Sequence, residues 1–447
     1  MIKFYKYFYS AAGCCLLLIA GCATSPEISL RVRQDEIART FDYKAEHEAI
    51  PAIIDKPADF DEYFAYAMRH NNQLRFAFAK WQAALERVPQ ARSLDDPTLT
   101  FEYFVDQMDT RYRIGVSQMI PGFGKLGLRE KRAVAEAESA WHNFEAIRFD
   151  LYEMLSKAFH EYHYLARVTD VTNENQQLLK QVEQVIDARY RSGAVPFSAL
   201  INVQIEQQRL TDRLADMHQR RHAQSAALAA LLDLSLEEPL PWPDFSPTGS
   251  IMLDELVLVS ILADLNPELK AAEAMVEAAR YGETLAGYAS RPDFMLGAGW
   301  MVMPGMDGRG DESDIGLMAG ITLPLWRGRI RAGRREASAL TRAAEEELAT
   351  LYNRLRSELS MALYKFEDAE RRIALYRDTL IPQAQQAFEV ARQEYADGRS
   401  EFMTMINAQR TLLEFQLQYE RAVVDREIAL ADVSCCVGDF DIKGDNK

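Results

Sequence analysis

The interior of this chain has no cysteine. All five lie at positions 14, 15, 22, 435 and 436 of 447 residues, so neither a disulfide framework nor a paired-cysteine zinc site organises the fold. A thiol-free interior suits an oxidising compartment. Basic excess is also missing. The formal charge is −16, which argues against phosphate backbones and hence against nucleic acid as a partner; beyond that, acidity speaks only of a solvated surface. No apolar run of about 18 residues follows Cys22, which leaves no further candidate for a bilayer-crossing helix. The GxSxG, HExxH and P-loop GK[ST] constellations are absent too, and the chain reads as a non-enzyme without a cofactor. What is present, 48% hydrophobic and 26% charged residues, is too apolar for disorder and long enough for a large folded structure.

Residues 1–21 read as a signal peptide. Lys3 and Lys6 give the basic start, and Ala11 to Ala20 give an apolar run too short to span a bilayer. The run ends Leu18-Ile19-Ala20-Gly21-Cys22, which resembles a bacterial lipobox. The resemblance implies cleavage before Cys22 and acylation of it, and more than one acyl chain makes a stable anchor. Ala23 in the second mature position is similar to lipoproteins sent to the outer membrane. Residues 22–60 follow as an N-terminal periplasmic segment.

The remainder is a duplication, with a first repeat at 61–234, a proline-rich connector at 235–255 (Pro239, Pro241, Pro243, Pro247), a second repeat at 256–438 and a tail at 439–447. Asn71-Asn72-Gln73-Leu74-x-x-Ala77 matches Asn266-Pro267-Glu268-Leu269-x-x-Ala272 at an offset of 195 (266 − 71), and Pro97 matches Pro292. Tyr190-x-x-Gly193-x-x-x-Phe197 matches Tyr395-x-x-Gly398-x-x-x-Phe402 at 205 (395 − 190), as Asn202-x-Gln204 matches Asn407-x-Gln409. The offset grows because the second repeat has a longer loop near 303–314. A unit of about 200 residues is too long for a solenoid repeat.

Each repeat reads helix, strand, loop, strand, very long helix, turn, helix. Strands are expected near 98–105, 112–120, 293–302 and 315–323, where apolar residues such as Leu99, Phe101 and Tyr103, or Leu296, Ala298 and Trp300, alternate with small or polar ones. That is the pattern of a membrane strand facing lipid on one side and a lumen on the other; hairpins half-buried on a soluble core would show it too. Between Pro121 and Gly193 no proline interrupts about 70 residues, and the counterpart from Pro324 to Gly398 is broken only at Pro382. Leu348, Leu351, Leu355, Leu359, Ala362, Phe366, Ile373 and Leu380 continue a coiled-coil seam. Roughly 65 helical residues reach about 100 Å. Four strands cannot close a barrel, since the smallest membrane barrels have about eight, and open edges in lipid leave backbone groups unpaired at several kcal/mol each. The chain is therefore expected to pool strands with copies of itself.

Several motifs carry a family resemblance: Asn266-Pro267-x-Leu269 before a strand; Gln118-Met119-Ile120-Pro121-Gly122-Phe123-Gly124-Lys125 and Leu323-Pro324-Leu325-Trp326-Arg327-Gly328 at strand-to-helix exits; the two Tyr-x-x-Gly turns; and Asn407-Ala408-Gln409. In this order, duplicated and behind a lipobox, they resemble the TolC-like outer-membrane efflux proteins over nearly the whole mature chain. The resemblance implies a mainly α fold with a membrane β-barrel portion, four strands and long coiled-coil helices per protomer shared in a homotrimer. It also implies a passive exit duct served by a periplasmic adaptor (membrane fusion) protein and an inner-membrane transporter, of RND type. By resemblance the turns at Tyr190, Gly193, Tyr395 and Gly398 meet the adaptor, glycine suiting a tight reversal with φ > 0. The family often has aspartates six and nine residues after the second turn glycine. Thr404 and Asn407 stand there, with Ala199 and Asn202 in the first repeat, so Asn202, Thr404 and Asn407 are the gate candidates.

Substrate stays open among heavy-metal cations, drugs and other organic compounds, and the protein of a type I secretion system. The Asn-Pro-x-Leu and Leu-Pro-Leu-Trp motifs are more similar to heavy-metal channels. Met295, Met301, Met303, Met306 and Met318 cluster around the second hairpin, and thioethers suit soft ions, with Met301, Met303 and Met306 the candidate ligands; methionine is equally a packing residue. The pairs His160/His163 and His218/His222 lack a third ligand and read as solvated helix faces. Vicinal Cys435-Cys436 leaves three readings open, a reactive pair, a bridge, which between neighbours is strained, or two small residues near a helix end.

Overall fold

The computed structural model describes residues 25–41, 56–105, 110–235, 238–247, 249, 251–303 and 311–440. The signal peptide, Cys22, Met306 and residues 441–447 of the tail lie outside the described residues. The helices are α1 (Ser25–Thr40), α2 (Phe60–His70), α3 (Asn72–Leu85), α4 (Arg87–Arg92), α5 (Lys125–Arg191), α6 (Phe197–Leu231), α7 (Glu255–Leu265), α8 (Pro267–Gly287), α9 (Arg327–Leu375), α10 (Ile381–Ala396) and α11 (Phe402–Val437). The strands are β1 (Thr98–Tyr103), β2 (Tyr112–Ile120), β3 (Phe294–Met303) and β4 (Glu312–Ile321). The order two helices, two strands, one very long helix, one long helix thus occurs twice.

The chain folds into two compact units, each drawing on both repeats. The first takes residues up to 39, 78–144 and 268–351; the second takes 40–77, 145–267 and 352 onward. In the first unit the four strands form one antiparallel sheet in the order β1-β2-β3-β4. Beside it, Leu30 of α1 is buried with Leu85, Val88, Ala133 and Ala137. The buried Glu27 carboxylate fastens α1 by accepting from Arg31 at 2.9 Å and Arg92 at 2.8 Å. In the second unit the core is a seam of helices. Leu165, Val168, Leu179 and Ile186 of α5 pack with Val203 and Leu210 of α6, Phe388 of α10, and Met405, Ile406 and Leu413 of α11. From the expected seam, Leu355, Leu359, Ala362, Phe366 and Ile373 are buried.

Two strands, β1 and β4, depart from their expected bounds, and the expected break at Pro382 takes a specific form. β1 stops at Tyr103, leaving Val105 outside the ladder and 90% exposed. β4 runs from Glu312 to Ile321 rather than 315 to 323. Its polar start pairs with Val302 and Met303 although it lacks the apolar alternation, and Pro324 closes a tight turn in which Leu325 N–H donates to Leu323. The break at Pro382 is a π-helical segment, Tyr376–Leu380. Proline has no N–H for the helix ladder, and Ile381 N–H reaches back five residues to Tyr376 O, the register of a π-bulge.

The repeated asparagines have a structural reason. In the second unit Asn71 Nδ2 donates to Leu231 O, and Asn266 Nδ2 donates to Cys436 O, both at 2.9 Å. Each asparagine thus serves a carbonyl at the C-terminal end of the last helix of its own repeat, where helical partners run out. The positions that follow match as well (233 + 205 = 438). Asp233 has φ 57 and Gly438 φ 75, both in the left-handed conformation that ends a helix.

Candidate functional site

The sheet offers two chemically distinct faces. Side chains alternate along each strand, and directly paired residues share a face. The register puts Leu99, Val116, Ala298 and Leu317 in one row and Phe101, Ile114, Trp300 and Ile315 in the next. Most of these are exposed, Leu317 at 86%. The opposite face carries Thr100, Gly115, Gly299 and Gly316 in one row, Thr98, Ser117, Gly297 and Met318 in another, and Met119, Met295 and Gly320 in a third. Farther from the helices, Glu102 pairs with Arg113 at 3.1 Å on this face. Among the described residues β1 and β4 have no strand beyond them. An exposed apolar face, a small-residue face and two open edges make a wall segment that needs further strands. No described helix is long and apolar enough to cross a membrane.

A charged joint sits where β2 passes into α5. Lys125 is buried, and its Nζ donates to Asp293 Oδ1 at 2.7 Å and to Arg291 O at 2.9 Å. Gly122 N–H donates to the same Asp293 oxygen at 2.6 Å. A Cβ at Gly122 would stand 2.4 Å from Pro292 O, so the Pro-Gly-x-Gly-Lys exit needs glycine for this approach. Burial alone would raise the Asp293 carboxyl. The Lys125 ammonium and the Gly122 N–H outweigh burial and hold it below the usual carboxylate range.

In the second unit the two glycine turns close alike. Gly193 and Gly398 have φ 74 and 75. Ala194 N–H reaches Arg189 O and Arg399 N–H reaches Glu394 O, each at 2.8 Å, the six-to-one bond of a Schellman motif. The Tyr-x-x-Gly-x-x-x-Phe spacing lets the rings meet across the turn: Tyr190–Phe197 centroids are 5.3 Å apart and Tyr395–Phe402 centroids 5.7 Å. The two are not equivalent in burial, Tyr190 being 40% and Tyr395 7% exposed. Tyr395 packs into the helical core, and Arg189 also covers it. Its Nη1 donates to Tyr395 O, and its guanidinium lies 5.1 Å from the Tyr395 ring centroid. This clasp joins the ends of α5 and α10. Sequence reading passed over it, although an available signal was that Glu394 stands at the matching place in the second repeat.

Thr404 and Asn407 lie on the exposed face of α11, three residues apart, while Asn202 is half-buried on α6. Behind them Gln409 is buried and donates to Asn175 Oδ1 at 2.9 Å, and Arg410 pairs with Glu206. The Asn-x-Gln motif thus joins an outward amide to an inward helix-to-helix bond. Its first-repeat counterpart Gln204 instead donates to Glu183 at 3.0 Å on the surface.

One histidine expectation is corrected. His160 is buried, its ring 5.1 Å from Phe245, and His163 is half-buried 4.4 Å from the same ring; neither is a solvated face, because aromatic residues of α2 and the connector cover that side of α5. Burial first, and Arg167 second, lower His163 to about 4. His218 and His222 are exposed, with rings 5.4 Å apart. No group of three His, Cys, Asp or Glu suited to a metal occurs among the described residues. Cys435 and Cys436 are not joined in a disulfide. Burial, with Glu153 nearby, pushes Cys435 well above the ordinary thiol range. Met301 and Met303 lie at the loop end of β3, opposite Asp314 and Glu312.

A family model described as outer membrane efflux protein matches residues 258–438. The pyoverdine export outer membrane protein OpmQ of Pseudomonas putida is 24% identical over 319 residues, 66% of this chain, and the chain spans 63% of that relative's length. Among solved structures, the outer membrane protein VceC of Vibrio cholerae superposes with a TM-score of 0.70 at 19% identity, covering 85% of this chain and 96% of that one. CusC superposes with 0.73 at 16% identity, covering 85% and 92%. The fold is theirs: long helices with a strand portion.

Proposed function

We propose, from the match of residues 258–438 to the outer membrane efflux protein model, that the chain is an outer-membrane channel, the exit duct of a tripartite efflux pump. The observation that carries the reading is the sheet. One face is apolar and exposed, the other is lined by glycine, threonine, serine and methionine, and both edges lack a partner strand. Four strands are too few to close. Three copies would supply twelve, with the apolar faces outward to lipid and the small-residue faces around an aqueous lumen, and no backbone edge would remain in hydrocarbon. Exposed Leu323, Leu325 and Trp326 after β4 suit the interfacial belt of such a barrel.

On this reading the protein is a passive conduit in the outer membrane, anchored through Cys22. A periplasmic adaptor docks at the turns of Tyr190, Gly193, Tyr395 and Gly398, and an inner-membrane transporter of RND type supplies the energy. Release of the Arg189 clasp would free the turn ends, with Asn202, Thr404 and Asn407 forming an amide and hydroxyl constriction in place of carboxylates. Reconstitution of the purified full-length chain into planar bilayers tests the core of this. Discrete conductance steps from a heat-sensitive trimer are expected; a monomer that leaves the bilayer silent would sink the channel reading.

A further inference from the structure

The small-residue face of the sheet carries methionines from both hairpins. Met119 of β2 is the direct cross-strand partner of Met295 of β3. Met295 is opposite Gly320, and Met318 is opposite Gly297, two residues along β3. Met295 is therefore directly opposed to Met119 and diagonal to Met318 on one face. Directly opposed Cβ atoms are about 5 Å apart and diagonal ones about 7–8 Å, within reach of unbranched side chains with three rotatable bonds.

The glycines between them are part of the arrangement. Met295 Cε lies 3.0 Å from where a Cβ on Gly320 would stand, and Met318 Cε lies 3.3 Å from the corresponding point on Gly297. The methyl end of each methionine lies over a glycine of the neighbouring strand, where a side chain would crowd it. Met119 and Met318 are 36% and 40% exposed, so these are not methionines filling a core. The residues nearest them on this face are Thr98, Thr100, Gly115, Ser117, Gly299 and Gly316, with the charged Glu102, Arg113 and Asp314 in the row beyond. Grouped thioethers have little affinity for hard, strongly hydrated cations and favour soft monovalent ones.

We propose that Met119, Met295 and Met318 form a contact site for soft monovalent cations, Ag⁺ or Cu⁺, on the lumen wall near the helical end of the sheet. The site rests on the reading of the sheet as a channel wall and names a substrate class for it. It differs from the group at Met301 and Met303, whose strand partners Asp314 and Glu312 are carboxylates. Three protomers would present three such sites around one lumen. The cation is cargo that passes from thioether to thioether, not a resident cofactor.

The test uses the full-length trimer in detergent, carrying Cys435→Ser and Cys436→Ser so that thiolates do not compete. Silver nitrate is added by equilibrium dialysis in chloride-free buffer, and bound silver is counted and examined by X-ray absorption. About one Ag⁺ per chain with sulfur neighbours is expected. It should be lost in M119L/M295L/M318L, kept in M301L/M303L, and not displaced by Co²⁺. Met→Leu swaps conserve volume. If the triple variant fails to assemble, M295L alone, which removes the central thioether, should weaken Ag⁺ binding at least about tenfold. A parent that takes up no silver, or a triple variant that keeps it, overturns the site. Bilayer conductance of the same preparations separates this from the wider reading. Pores without silver binding would retire the soft-cation site and leave the channel, whereas a pore-free parent would remove the premise.

Discussion

Replacing Arg189 by alanine removes one clasp and little else. The Schellman bonds of both turns are backbone to backbone, so the helix ends themselves should persist. What is lost is the guanidinium bond to Tyr395 O and the cation–π contact at 5.1 Å. A hydrogen bond from a charged donor contributes about 1.5–3 kcal/mol, and a cation–π contact at an exposed site about 0.5–1 kcal/mol. Arg189 is half-buried, and the low end of both ranges gives about 2 kcal/mol. If the clasp acts only on the closed arrangement, the ratio of open to closed channels should rise about 30-fold. Single-channel recording at fixed voltage reads that ratio directly, and cells carrying R189A should admit bulky antibiotics that the parent excludes. R189K keeps a charge but loses the planar fork, and should fall between parent and alanine. An R189A channel that assembles normally and opens no more often than the parent would refute the clasp as a gate element.

Lys125→Met should lower stability by about 2 kcal/mol near neutral pH, because two bonds from a charged donor vanish and Asp293 is left with only the Gly122 N–H. Since the folded carboxyl titrates below its ordinary value, the pair stabilises above pH about 4 and loses its effect as pH falls through the depressed pKa; denaturation midpoints of parent and variant should therefore converge in acid and separate toward neutrality. Asp233→Gly should raise stability by about 0.5–1 kcal/mol by relieving a non-glycine residue at φ 57. Gly438→Ala at the matching position should cost at least about 1–2 kcal/mol, because its Cβ would also meet Pro267 Cδ at 2.8 Å; paired melting curves of the two variants check both signs.

What could be read in the sequence, and what could not, follows from the range of each interaction. Alternation located all four strands because one face of each is apolar, and the absence of proline from 122 to 192 marked a helix that runs unbroken from Lys125 to Arg191. Strand ends escaped where the alternation lapses: Glu312-Ser313-Asp314 pairs through its backbone with β3 whatever its side chains. The matched asparagines were visible as a repeat, but their purpose depends on a carbonyl 160 residues away in one case and 170 in the other. Arg189 was missed because a clasp is a property of two turns together, and only one of them carries it. Methionine shows the same limit most sharply. The cluster seen in the sequence was built from residues close along the chain, Met295 to Met318, and omitted Met119, which is 176 positions before Met295 (295 − 119) and its direct partner in the sheet. Register decides which thioethers share a face. A one-residue slip of β2 against β3 would turn Met119 to the apolar side, so the Met119–Met295 pairing tests the sheet as well as the site. A disulfide between cysteines placed at 119 and 295 in the C435S/C436S background should form only if that register holds.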